Sequence, residues 1–150
     1  MVVVAAVLIG AGVVSFLTDQ ASRQVPLNVP LFDGAAYWGR GEDLPNSRKE
    51  YYRVTNAQPD EVMAFYQEKL NEHTGGTDEQ CNRYPELGEF PASELGPGIP
   101  PYRYICLFDR SGFQSTQYTR VTISPGLPNE NPDFDTEGMT IVEYYQVWQS

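Results

Sequence analysis

Gln58-Pro59-Asp60-Glu61-Val62-Met63-Ala64-Phe65-Tyr66-Gln67-Glu68-Lys69-Leu70-Asn71-Glu72-His73 is the clearest helical signal in this chain. Pro59 suits the first helical position, where an N–H has no partner anyway, and Asp60 and Glu61 complement the positive end of the helix dipole. Gln58 or Asn56 can cap the start. Val62, Phe65, Tyr66, Lys69 with Leu70, and His73 recur at helical spacing, so one face is apolar, and Gly75-Gly76 ends the run. An apolar helix face needs another element to cover it, and the flanking residues read as a sheet.

Working outward, Lys49–Thr55 is rich in β-formers and reads as a strand. Beyond the helix, Pro85–Pro101 is a proline- and glycine-rich excursion, too long for a tight turn and of the kind that binds or covers something. Tyr102–Asp109, Gln117–Ser124 and Thr140–Trp148 then read as strands. Arg110–Thr116 has the length and the glycine of a hairpin connection, and Pro125–Gly138 is an acidic loop. The expected fold class is therefore α+β, with one helix packed on an antiparallel sheet in the order β-α-β-β-β.

The other end of the chain is different in kind. Val2–Leu17 carries no charge and only Ser15 as a polar side chain. A helix of that length reaches roughly 25 Å, slightly short of the ~30 Å hydrocarbon core of a bilayer. The reading is a single transmembrane helix over residues 1–19; a cleaved signal peptide and a buried core element are the alternatives, the former opposed by the lack of a basic start. Small residues four apart, Ala6 with Gly10 and Ala11 with Ser15, form a stripe where a neighbouring helix can approach. Residues 20–48 read as a linker and extended arm, broken by Pro26, Pro30, Pro45, Gly34, Gly39 and Gly41. Residues 49–150 form the folded domain.

The net charge of −10 lies wholly at or beyond Asp19. A surplus of carboxylates excludes nucleic acid as a partner of the chain as a whole and disfavours an anionic lipid surface. Cys81 and Cys106 are the only cysteines, outside any CxxC or Cys/His cluster. One disulfide in an oxidising compartment is the expectation, worth roughly 3 kcal/mol; two buried thiols in a reducing one is the alternative. The disulfide reading puts the domain on the extracytoplasmic side of the membrane, with the N-terminus inside.

Catalytic signatures are scarce. His73, the lone histidine, is explained by the negative end of the helix, and a general base would need an orienting partner. Asp133-Phe134-Asp135-Thr136-Glu137-Gly138 resembles the first half of a calcium loop, but Tyr144 stands where the bidentate glutamate belongs, so a solvated acidic turn is preferred. Tyr51-Tyr52 and Tyr144-Tyr145 suit strands and protein interfaces equally. No enzyme activity, metal or cofactor is expected.

Pro30-Leu31-Phe32-Asp33-Gly34-Ala35, followed by a strand and then by Asp60-Glu61-Val62, Phe65-Tyr66 and Leu70, resembles a loosely defined group of bacterial membrane-anchored or lipoprotein domains of unassigned function. The resemblance covers about residues 30–124 and implies an α+β fold outside the membrane without known catalysis; Gly75-Gly76 replaces the Gly-Trp that usually closes the helix. In architecture the chain is also similar to accessory subunits of bacterial respiratory and photosynthetic complexes such as alternative complex III.

The expected function is a non-catalytic accessory subunit of a membrane protein complex. Its partners are other membrane subunits, met through the apolar helix and the outer domain, with Phe32, Tyr37, Trp38, Phe90, Leu95 and Ile99 as interface candidates. A small-molecule ligand is not part of this reading. The alternative is a tethered ligand-binding or sensory module whose pocket lies between the sheet and the Pro/Gly loop.

Overall fold

The structure, a computed structural model, describes residues 18–113 and 115–149. Residues 18–22 are helical (α1). They are followed by β1 (Ala36–Leu44), β2 (Ser47–Val54), α2 (Pro59–Thr74), β3 (Asn82–Tyr84), β4 (Arg103–Asp109), β5 (Tyr118–Pro125) and β6 (Thr140–Val147). The six strands form one antiparallel sheet in the order β1-β2-β6-β5-β4-β3.

Two parts of the expected fold are corrected. The order β-α-β-β-β becomes β-β-α-β-β-β-β, because β1, within the expected arm, and β3, just past the helix, are strands as well. β1 hides behind Gly39 and Gly41: the register with β2 shifts between Tyr37 and Gly39 and again between Arg40 and Glu42, so the glycines sit at bulges of an edge strand. A Cβ on Gly41 would come 2.9 Å from the Tyr51 ring. β3 is only three residues long, too short to show an alternation.

The transmembrane helix is the second correction. Residues 2–17, with Ala6, Gly10, Ala11 and Ser15, lie outside the described residues, and among the described residues no helix is long and apolar enough to cross a membrane. A span needs about 20 predominantly apolar residues. In the described part of α1, Asp19 accepts from Arg23 at 2.9 Å and from Arg110 of the β4–β5 connection at 3.0 Å. Both cations hold its carboxyl below the usual range, with the Arg23 hydrogen bond the largest cause.

Packing of α2 follows its period. Val62, Tyr66 and Leu70, four apart, are buried against Tyr104, Cys106 and Phe108 of β4, Val121 and Ile123 of β5, and Val142 and Tyr144 of β6. At the helix start the Glu61 carboxylate accepts the Gln58 backbone N–H at 2.8 Å. Gly75 closes the helix with φ 70°, in the left-handed region that favours glycine.

The rest of this sheet face is covered by residues 23–32, a strap without regular structure. Buried side chains satisfy its carbonyls and that of Ser22 at the end of α1: Gln117 donates to Ser22 and Val25, Thr119 and Gln146 both donate to Leu27, and Tyr144 donates to Pro30. The segment lacks a strand ladder, so these donors replace one. Val29 is buried in the core, and Phe32 packs on it, edge-on to the Phe65 ring at 5.4 Å.

Candidate functional site

Because the strands alternate, the side chains that do not meet α2 and the strap point to the opposite face. No element covers it among the described residues. Tyr51 of β2, Glu143 of β6 and Thr122 of β5 lie in one cross-strand row of that face, and Arg53, Ile141, Ser124 and Arg103 in the next. Two loops rise beside these rows: the Pro/Gly excursion, which contributes Gly98 and Pro100, and the acidic loop, which contributes Leu127, Pro128 and Phe134. Together with Trp38 of β1 they enclose a groove of about 510 Å³.

The acidic loop is held by its own bonds. Gly126 donates to the Met139 carbonyl at 2.8 Å, Thr136 donates through its backbone to Leu127 at 3.0 Å, and the Thr136 hydroxyl accepts from the Leu127 N–H at 2.9 Å. Gly126 lies so close to this closure that a Cβ there would stand 1.8 Å from the Thr136 carbonyl oxygen. Asn129, Asn131 and Asp135 accept backbone N–H groups two residues on, so the segment is a series of side-chain-stabilised turns. Among the described residues no three of His, Cys, Asp and Glu gather to hold a metal ion.

The floor of the groove is amphipathic. The Tyr51 hydroxyl faces the Glu143 carboxylate; burial first and this neighbour second push its pKa up. Trp38 stands edge-on to Tyr51 at 6.4 Å and carries the Arg53 guanidinium over its ring at 5.4 Å. Ile141 and Phe134 supply apolar surface, the latter 57% exposed. The arrangement offers flat apolar contact, one carboxylate and nearby guanidinium groups, which suits binding.

The candidates named from the sequence disperse. Trp38 forms a groove wall, Tyr37 is exposed and edge-on to Tyr52 at 5.8 Å, and Phe32 packs inward. Phe90 and Ile99 border a smaller hollow with Arg103, and Leu95 is half-buried in the same loop. His73 directs Nε2 to the Asp109 carbonyl at 3.0 Å and its ring to Phe108. Cys81 and Cys106 are bridged. Tyr51, Ile141, Glu143 and Phe134 were missed as groove residues; their signal is the outward phase of β2 and β6, which takes on meaning once the inward phase is assigned to the helix.

A second polar cluster lies on the strap side. Buried Glu50 pairs with Arg40 at 3.1 Å and Arg48 at 3.8 Å and accepts from Tyr52 at 3.1 Å. Burial, and then the Glu50 charge, push the Tyr52 pKa up to about 12. Both Glu50 oxygens are engaged by these neighbours, so the cluster reads as the polar closure of β1 and β2 beyond the helix.

Compared with family models, curated proteins and solved structures, the chain matches none.

Proposed function

We propose that this is a non-catalytic docking domain, an accessory part of a membrane-associated assembly outside the cytoplasm, which engages a partner protein through the uncovered face of its sheet. The groove between Trp38, the Pro/Gly loop and the acidic loop carries this reading: it is concave, wide and lined by aromatic and proline side chains. The Cys81–Cys106 bridge supports an oxidising compartment. The test is purification of the full chain in gentle detergent. Stoichiometric retention of a larger complex, lost on Trp38→Ala with Phe134→Ala, supports docking; a monodisperse chain with nothing bound overturns it.

A second reading, a ligand-binding module, draws on the same groove, because about 510 Å³ is a volume that small molecules fill. It expects a small molecule to raise the melting temperature of the isolated chain and the Trp38→Ala change to abolish that rise.

A further inference from the structure

The cations of this chain are sorted by face. Arg23, Arg40, Arg48, Lys69 and Arg110 each pair with a carboxylate, and Arg83 lies over the Tyr102 ring at 4.5 Å and bonds the Pro85 carbonyl. Lys49, Arg53, Arg103 and Arg120 have no carboxylate within ion-pair distance among the described residues. All four belong to the outward phase of β2, β4 and β5, around the groove. The same face also carries Glu143, Glu42 beside Lys49, and Asp109, and the carboxylates of the acidic loop stand at its rim, so these four are cations without a carboxylate partner on a face of mixed charge.

Aromatic rings stand between these charges. Tyr145 is sandwiched by Lys49 at 5.4 Å and Arg120 at 5.1 Å, with Tyr118 edge-on at 6.2 Å, and Arg53 lies over Trp38. The Arg120 Nε is buried with no hydrogen-bond partner. Such stems lie on rings and keep their heads for an incoming anion. Lys49 and Arg53 are four residues apart on one strand, about 13 Å at ~3.3 Å per residue; Lys49 and Arg120 sit two strands apart, about 10 Å. The middle of this frame is apolar and polar-neutral except for Glu143.

That pattern selects against a uniform polyanion. Closely spaced phosphates or uronates would have to lay charge directly over Glu143, whereas separated carboxylates can straddle it. Separated carboxylates with apolar side chains and N–H donors between them fit: the four cations take the carboxylates, and Glu143 takes a donor.

Building on the docking reading above, we propose that the uncovered face receives an extended acidic segment of the partner protein, its carboxylates at Lys49, Arg53, Arg103 and Arg120 and its apolar side chains in the groove.

The probe is a random glutamate–tyrosine copolymer, measured for binding to the full chain against polygalacturonate and polyphosphate. The copolymer is expected to bind best, to weaken with added salt, and to lose at least about tenfold in affinity on Lys49→Glu with Arg120→Glu. Lys69→Glu, on the helix side, is the charge control and leaves binding within about twofold. The neutral pair Lys49→Gln with Arg120→Gln gives an intermediate loss and guards against misfolding. Equal binding by the reversed variant, tighter binding of either polyanion, or no copolymer binding overturns the inference. Retention of the native complex by Lys49→Glu/Arg120→Glu, with loss on Trp38→Ala/Phe134→Ala, overturns it while the docking reading stands.

Discussion

The hydroxyls of Tyr66 on α2 and Tyr144 on β6 meet at 2.7 Å inside the core, and their neighbours fix the direction of the bond. Tyr144 donates to the Pro30 carbonyl at 2.9 Å, so it accepts from Tyr66, which in turn accepts the Phe32 backbone N–H at 3.2 Å. One relay therefore ties strap, helix and sheet.

Replacing Tyr144 with Phe leaves the Tyr66 hydroxyl proton without its acceptor and the Pro30 carbonyl without its donor in an apolar core. Urea unfolding is expected to show a loss of about 1–3 kcal/mol. Backbone amides of residues 27–32 should also exchange faster, since the strap loses a tether. A loss below about 0.5 kcal/mol with unchanged exchange would mean that the relay holds nothing.

The same tyrosines make the fold sensitive to alkali. Burial pushes the hydroxyl pKa of Tyr66, Tyr144 and Tyr52 upward, that of Tyr52 to about 12. A tyrosine in the unfolded chain ionises near ~10. The folded state thus favours the neutral form, and its contribution is intact below pH ~10 and lost as pH rises toward and beyond ~12. Ultraviolet titration should show the exposed tyrosines ionising first and the buried ones only together with unfolding. Ionisation of all the tyrosines in one step near pH 10 with the fold intact contradicts this account.

Cys81 and Cys106 are bridged across a separation of 25 residues, one position beyond the Asn82–Ile105 pair of β3 and β4. The bond pins a three-residue edge strand that has little ladder of its own. Cys81→Ser with Cys106→Ser is expected to lower stability by about 3 kcal/mol. Thiol reagents should label the native chain only after reduction.

Gly126→Ala places a methyl group against the Thr136 carbonyl and forces the acidic loop outward. The expected cost is about 1–3 kcal/mol. Since Phe134 rides on that loop, binding through the groove should weaken alongside stability, whereas Gly138→Ala, with φ 79° but open space around it, should cost stability through the backbone and leave the groove wall in place.

What the residues alone determined is local. The α2 period, its proline and acidic start and its glycine stop specify a helix within a residue or so of Pro59–Thr74, and β2, β4, β5 and β6 announce themselves by β-branched and aromatic runs. Such signals depend only on neighbours along the chain. The tertiary structure decided the rest. Gly39 and Gly41 read as breakers, yet pairing with β2 turns them into bulges and makes an edge strand of an apparent linker. The strap acquires its path from Gln117, Thr119, Tyr144 and Gln146, all more than 80 residues away. Lys49, Arg53, Arg103 and Arg120 are scattered charges in the sequence; the antiparallel register brings them to one face, because a strand's period of two says which side chains are companions but not which strands lie side by side.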